Sequence, residues 1–122
     1  MKPAKLHIEM ATLDLTAGWE QLAGFPAGLE VRMLSDDFDE TAKTGARTRL
    51  VRFAPGARTT HVLVHDYCEE VFVLSGDLAP PDTDAPVPSA PTYSYRPPGT
   101  PHGPFVSRTG CVLFETQYYV KG

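Results

Sequence analysis

From residue 29 onward, apolar and polar side chains alternate in short runs. Leu29-Glu30-Val31-Arg32-Met33-Leu34 has the period of a strand with one wet face. Thr48 to Phe53 is a second run, closed by Ala54-Pro55-Gly56, and Thr59 to His65, rich in Thr and Val, is a third. Glu70 to Leu74 is a fourth, ending in Ser75-Gly76-Asp77, a tight-turn signal. Thr92 to Arg96 and the longer Cys111 to Val120 complete the set. Short strands separated by turn chemistry predict an all-β sandwich or closed barrel.

Residues 1–28 read as a loosely structured arm with Leu13, Trp19, Leu22 and Phe25 as apolar anchors and a short helical turn over Ala17 to Leu22. Residues 79–91 carry five prolines, which remove five backbone donors. That segment predicts an exposed, stiffened loop rather than an interior strand. With 122 residues there is room for one core, so the expected division is an arm over 1–28 and a barrel domain over 29–122.

Charge narrows the partners. The net charge is −4, and the arginines (Arg32, Arg47, Arg49, Arg52, Arg58, Arg96, Arg108) are scattered, which gives nucleic acid no electrostatic footprint. Asp36-Asp37-Phe38-Asp39-Glu40 lacks the spacing and glycine of a calcium loop and reads as a solvated loop. No run approaches the ~20 apolar residues that span a bilayer, and Met1 to Met10 holds no leader-like stretch. Cys68 and Cys111 follow no CxxC pattern. Two reduced thiols in a cytoplasmic protein are therefore expected, with a disulfide between them as the alternative.

Two segments carry candidate chemistry. His65, Glu69 and Gly76 form His-x3-Glu-x6-Gly, and Pro97, Gly99 and His102 form Pro-x-Gly-x2-His. Over about residues 47–119 the chain resembles the cupin superfamily, especially single-domain cupins similar to the metal-binding half of ChrR-type anti-sigma factors. The resemblance implies a small RmlC-like β-barrel in which His65, Glu69 and His102 point at one interior metal site. The family's first motif has a His-x-His pair, and Leu63 stands at its first histidine. Pro91 and Val106 replace the leading glycine and closing Asn of the second motif.

His61 lies two residues before Leu63. On a regular strand it shares a face with His65, yet a rise of ~3.3 Å per residue puts their Cα atoms about 13 Å apart. A β-bulge that shortens this gap makes His61 a fourth ligand; without one it faces substrate or supports the site. Glu69 and Glu70 must face opposite sides of an extended chain, and Glu69 has the family spacing.

Two His and one Glu form a facial set with open positions, suited to one divalent transition-metal ion: iron or zinc first, manganese or nickel as alternatives. Tyr67, Tyr95, Arg96, Phe105, Gln117 and Tyr119 are the candidate pocket residues, with core packing as the other role of the aromatics. Arg96 pairs either an anionic substrate or a carboxylate, Glu115 or Asp77. No catalytic dyad is recognisable.

The leading functional expectation is a metal-dependent oxygenase-type enzyme acting on a small oxygenated or aromatic compound. A non-catalytic metal- or ligand-binding cupin module is the alternative, and metal-free isomerase chemistry stands third. The expected partners are a small molecule and a second copy in a homodimer, with no nucleic acid and no membrane.

Overall fold

Strand alternation decides which side chains enter the interior. The computed structural model describes residues 3–120, so Met1, Lys2, Lys121 and Gly122 lie outside the described residues. Six strands, β1 (Glu20–Gln21), β2 (Leu29–Asp36), β3 (Ala46–Phe53), β4 (Cys68–Gly76), β5 (Thr92–Arg96) and β6 (Cys111–Tyr118), form one antiparallel sheet. Their order is β1-β2-β3-β6-β4-β5. Along β6, Cys111, Leu113, Glu115 and Gln117 are buried while the residues between them are half-buried, so one face looks inward.

A second layer closes this inner face. It is irregular, held by isolated bridges between Arg58 and Val106, Ala79 and Val106, and Leu63 and His102. The expected strand Thr59 to His65 is this layer rather than a continuous strand. From Arg58 to Leu63 its ladder takes five steps against four from Val106 to His102, so one extra residue interrupts the pairing.

The core follows from the registers. Leu29, Val51, Phe53, Val71, Val73, Cys111 and Leu113 form one buried cluster, with Leu22 and Phe25 packed against it. The predicted arm is thus partly built in, because β1 pairs with β2 and the two following apolar anchors reach the core. No helical turn forms over Ala17 to Leu22; the chain bends there and enters β1. Trp19 stays at the surface, with the Arg52 guanidinium 4.2 Å above its ring.

The acidic segment after β2 is a structured turn. Asp39 pairs with Thr44 and accepts the amides of Thr41 and Ala42, while Phe38 is buried. Residues 79–91 form a largely exposed connection from β4 to β5, anchored at one end by Ala79, which the bridge to Val106 draws into the core, and at the other by Ala90, packed against the core cluster. Gly76 ends β4 at φ +81°, where any Cβ would overlap the carbonyl of Gly110. That close approach accounts for the glycine. Cys68 and Cys111 are both buried and free. Among the described residues, no helix is long and apolar enough to cross a membrane.

Candidate metal centre

The turn Pro97-Pro98-Gly99-Thr100 brings the two histidine segments together. Gly99 N–H donates to the His65 carbonyl at 2.7 Å, and Leu63 and His102 exchange backbone hydrogen bonds at 2.7 and 2.9 Å. His65 and His102 are therefore positioned by main chain before their rings interact. The His65 ring stacks on Tyr67 at 4.4 Å. Nδ1 of His102 lies 3.2 Å from the Thr100 carbonyl, which selects the tautomer that donates there and leaves Nε2 free to accept. Burial lowers the His65 pKa, Glu69 opposes that shift and His102 adds to it; the imidazole is neutral at pH 7.

Glu69 enters from β4 and is buried. Nη1 of Arg96 donates to its Oε1 at 2.7 Å, and the Gln117 amide donates to its Oε2. Arg96 thus pairs with Glu69, not with Glu115 or Asp77. Glu69 and Arg96 are direct cross-strand partners, as are Glu69 and Gln117, so the registers themselves assemble the group.

Sheet register grades the interior. Arg47, Gln117, Glu69 and Arg96 form one row across the strands, and Arg49, Glu115 and Val71 form the next. Beyond these come Val31, Val51, Leu113 and Val73, then Leu29, Phe53 and Cys111. A cavity of about 320 Å³ touches all four rows, with the histidines at its polar end. In the second row Arg49 donates to Glu115 at 2.8 Å. Burial still pushes the Glu115 carboxyl above its ordinary range, more than Arg49 offsets.

The donor set fits a transition ion. Ligands ~2.0–2.1 Å from one ion stand roughly 3.0–3.4 Å apart at octahedral to tetrahedral angles. Nε2 of His65 and Nε2 of His102 are 3.1 Å apart, and Oε1 of Glu69 is 3.7 Å from Nε2 of His102. One donor atom from each of His65, Glu69 and His102 lies within 4.8 Å of the others. Two imidazoles with a carboxylate suit iron, zinc, manganese or nickel.

The remaining sequence candidates divide. Tyr67, Arg96, Phe105 and Gln117 line the cavity. Burial raises the Tyr67 phenol to about 12, so it stays protonated. Tyr95 does not line the cavity: next to inward-facing Arg96, it falls on the outer face, where its hydroxyl meets Cys68 Sγ at 3.7 Å. Tyr119 lies past the end of β6, stacked on Phe38 at 5.0 Å and bonded to Asp66.

His61 is exposed and hydrogen-bonded to Thr60, outside the ligand group. The ladder irregularity that offered to draw it inward turns it out, while Thr59 and Leu63 keep the cavity face. Arg47, Arg49 and Glu115 are cavity residues that the sequence reading did not single out as such. Their signal was charge at the same strand parity as Val51, Phe53 and Leu113.

Residues 9–121 match the ChrR cupin-like domain family. The chain belongs to that family. Its cupin fold is shared with an RmlC-like cupin from Shewanella frigidimarina NCIMB 400, at 23% identity over 93% of this chain and 94% of the other, with a TM-score of 0.67. An acetylacetone dioxygenase from Acinetobacter johnsonii is similar at 14% identity over 99% and 83%, with a TM-score of 0.68. An RmlC-like cupin protein from Ralstonia eutropha JMP134 is similar at 16% identity over 92% and 70%, with a TM-score of 0.62. Curated proteins give no match to the sequence.

Proposed function

We propose that this cupin is a metal-dependent enzyme of oxygenase type acting on a small oxygenated or aromatic compound, with His65, Glu69 and His102 as metal ligands. The observation that carries the reading is the convergence of these three donors at the polar end of a half-open cavity. A divalent ion held by three protein ligands keeps open positions, where it acts as a Lewis acid or activates a bound small molecule.

The chain's own residues prepare that site. Arg96 and Gln117 engage both oxygens of Glu69 and so set the carboxylate plane. The Thr100 carbonyl directs the free nitrogen of His102 inward. Leu63, Tyr67 and Phe105 form the wall of the histidine end.

The second reading, a binding or sensing module, is favoured by Leu63, which lines the cavity beside His102 and offers no donor. Elemental analysis and oxygen uptake with catechols and β-diketones separate the two. The enzyme requires about one ion per chain and substrate-dependent oxygen consumption. Tight zinc with no consumption supports the module, and no retained ion overturns the enzyme and leaves only a metal-free ligand-binding module.

A homodimer belongs to the same reading, supported by exposed Phe72, Leu74, Tyr93 and Tyr95 on the outer face of β4 and β5. Sedimentation analysis tests it, and a monomer at all concentrations rejects it. A reducing, cytoplasmic setting is supported by the free, buried Cys68 and Cys111.

A further inference from the structure

The cavity's gradient carries information about its ligand. Three guanidiniums, of Arg47, Arg49 and Arg96, and two carboxylates, of Glu69 and Glu115, belong to its wall. The acidic neighbours of Arg47, Asp36 across the β2–β3 ladder and Glu40 at 3.9 Å, are not part of that wall. A divalent ion adds two more positive charges at the same end. Arg49 and Arg96 are paired with Glu115 and Glu69, so Arg47 is the wall's guanidinium whose carboxylate neighbours lie outside the cavity, and with the ion bound this end is net positive.

The opposite end is apolar. Past the Arg49–Glu115 row, the wall is Val51, Leu113, Phe53 and Leu29, with Leu22 and Leu78 beside them. Successive rows are two residues apart, about 7 Å, so the apolar part extends well beyond the reach of a compact chelator. A ligand that fills only the polar end leaves this surface uncovered.

Resting on the metal centre proposed above, we infer that the ligand is an anionic oxygen chelator with an unbranched aliphatic tail, the chemistry of a medium-chain 2-oxo carboxylate. Its head sits at the row of Arg47, Gln117 and Glu69, and its tail runs down the barrel across the row of Val51 and Leu113 towards Leu22 and Leu78. Arg47 is the specificity-determining cation. Its Nε is held 2.5 Å from the Gln117 carbonyl oxygen and its guanidinium lies 4.6 Å over the Phe38 ring, so the group is pre-oriented.

The test is calorimetric titration of metal-loaded protein with a series from pyruvate to 2-oxooctanoate, the metal content being measured on the same sample. Each added methylene is expected to tighten binding about fourfold until the tail fills the apolar rows. Arg47→Gln is expected to weaken the whole series about tenfold with the chain-length slope unchanged, the affinities being compared at equal metal loading because Arg47 also orients Gln117. Arg47→Lys is expected to recover part of the loss.

Affinity that stays flat along the series with the ion fully retained overturns this inference alone. So does 2-octanone binding as tightly as 2-oxooctanoate. A wild-type protein that retains no ion overturns the proposed function, and this inference falls with it. The wild-type series decides the matter even if the Arg47 variants fold poorly.

Discussion

The side-chain amide of Gln117 donates to Oε2 of Glu69, in the interior of the barrel. Its carbonyl end is occupied by Nε of Arg47 at 2.5 Å, so the amide has one workable orientation. Gln117→Leu removes this support and leaves two buried polar groups short of a partner. Metal affinity is expected to fall about 10–100-fold, with about 1–3 kcal/mol of fold stability lost. Metal competition titration and urea unfolding measure the two effects separately.

His102→Ala takes away one of three donors, and most of the bound metal should go with it. His61→Ala, by contrast, changes a surface side chain and should retain the wild-type amount. Metal content of the two purified variants checks the assignment. Full retention in His102→Ala would rule the site out.

Leu63→His places an imidazole directly across the ladder from His102, on a backbone already paired at 2.7 and 2.9 Å. Because His61 faces solvent, nothing duplicates this new donor. The variant should bind zinc more tightly than wild type in a competition assay. Unchanged affinity means that position 63 does not aim at the ion.

Arg49 and Glu115 are a buried pair, with side chains only 11% exposed. Arg49→Met strands the carboxylate and should cost about 3–5 kcal/mol, whereas the double change Arg49→Met/Glu115→Met should lie near wild type. Burial already raises the Glu115 pKa, so its folded value exceeds its unfolded one. A raised group stabilises the fold below its unfolded pKa and loses that contribution as pH rises. Part of the stability lost in Arg49→Met should therefore return on acidification, as read by urea unfolding across pH.

Asp77 ties the turn after β4 to residues 107–109. It accepts from the Thr109 hydroxyl at 2.6 Å, from the amides of Thr109 and Arg108 at 2.9 and 3.1 Å, and from Ser107 at 3.2 Å. These bonds, those of Thr109 foremost, depress its pKa from 3.8 to about 2. A lowered carboxylate stabilises the fold above 3.8 and loses that contribution as pH falls towards 2. Melting temperature should drop through this window, and less steeply in Asp77→Asn.

The longer strands were legible because one face turns to the core, as Cys111, Leu113, Glu115 and Gln117 do along β6, whereas the exposed two-residue β1 left no such trace. Thr92 to Arg96 matches β5 end to end. The segment Thr59 to His65 was not legible as it is, because its Thr and Val content reports extended backbone and not whether a ladder forms. His61 failed for the same reason: one extra residue in a pairing is invisible without knowledge of the opposite segment.

The convergence of His65, Glu69 and His102 was legible from spacing, since Gly99 and its neighbouring prolines form the turn that brings the histidine segments together. Their polar surroundings were not. Arg47, Gln117, Glu69 and Arg96 are far apart in sequence and become neighbours only through register.

Arg96 is the last residue of β5, and β5 is an edge strand with β4 as its single ladder partner. Edge strands exchange their amide hydrogens early, because opening them exposes little core. Peeling β5 away withdraws the guanidinium from Glu69 and leaves Gln117 as the carboxylate's remaining restraint, with the rest of the sheet intact. At the proposed metal centre the lifetime of a bound ion would thereby be tied to the fraying of one peripheral strand, and whatever pins that strand from outside would slow the ion's escape.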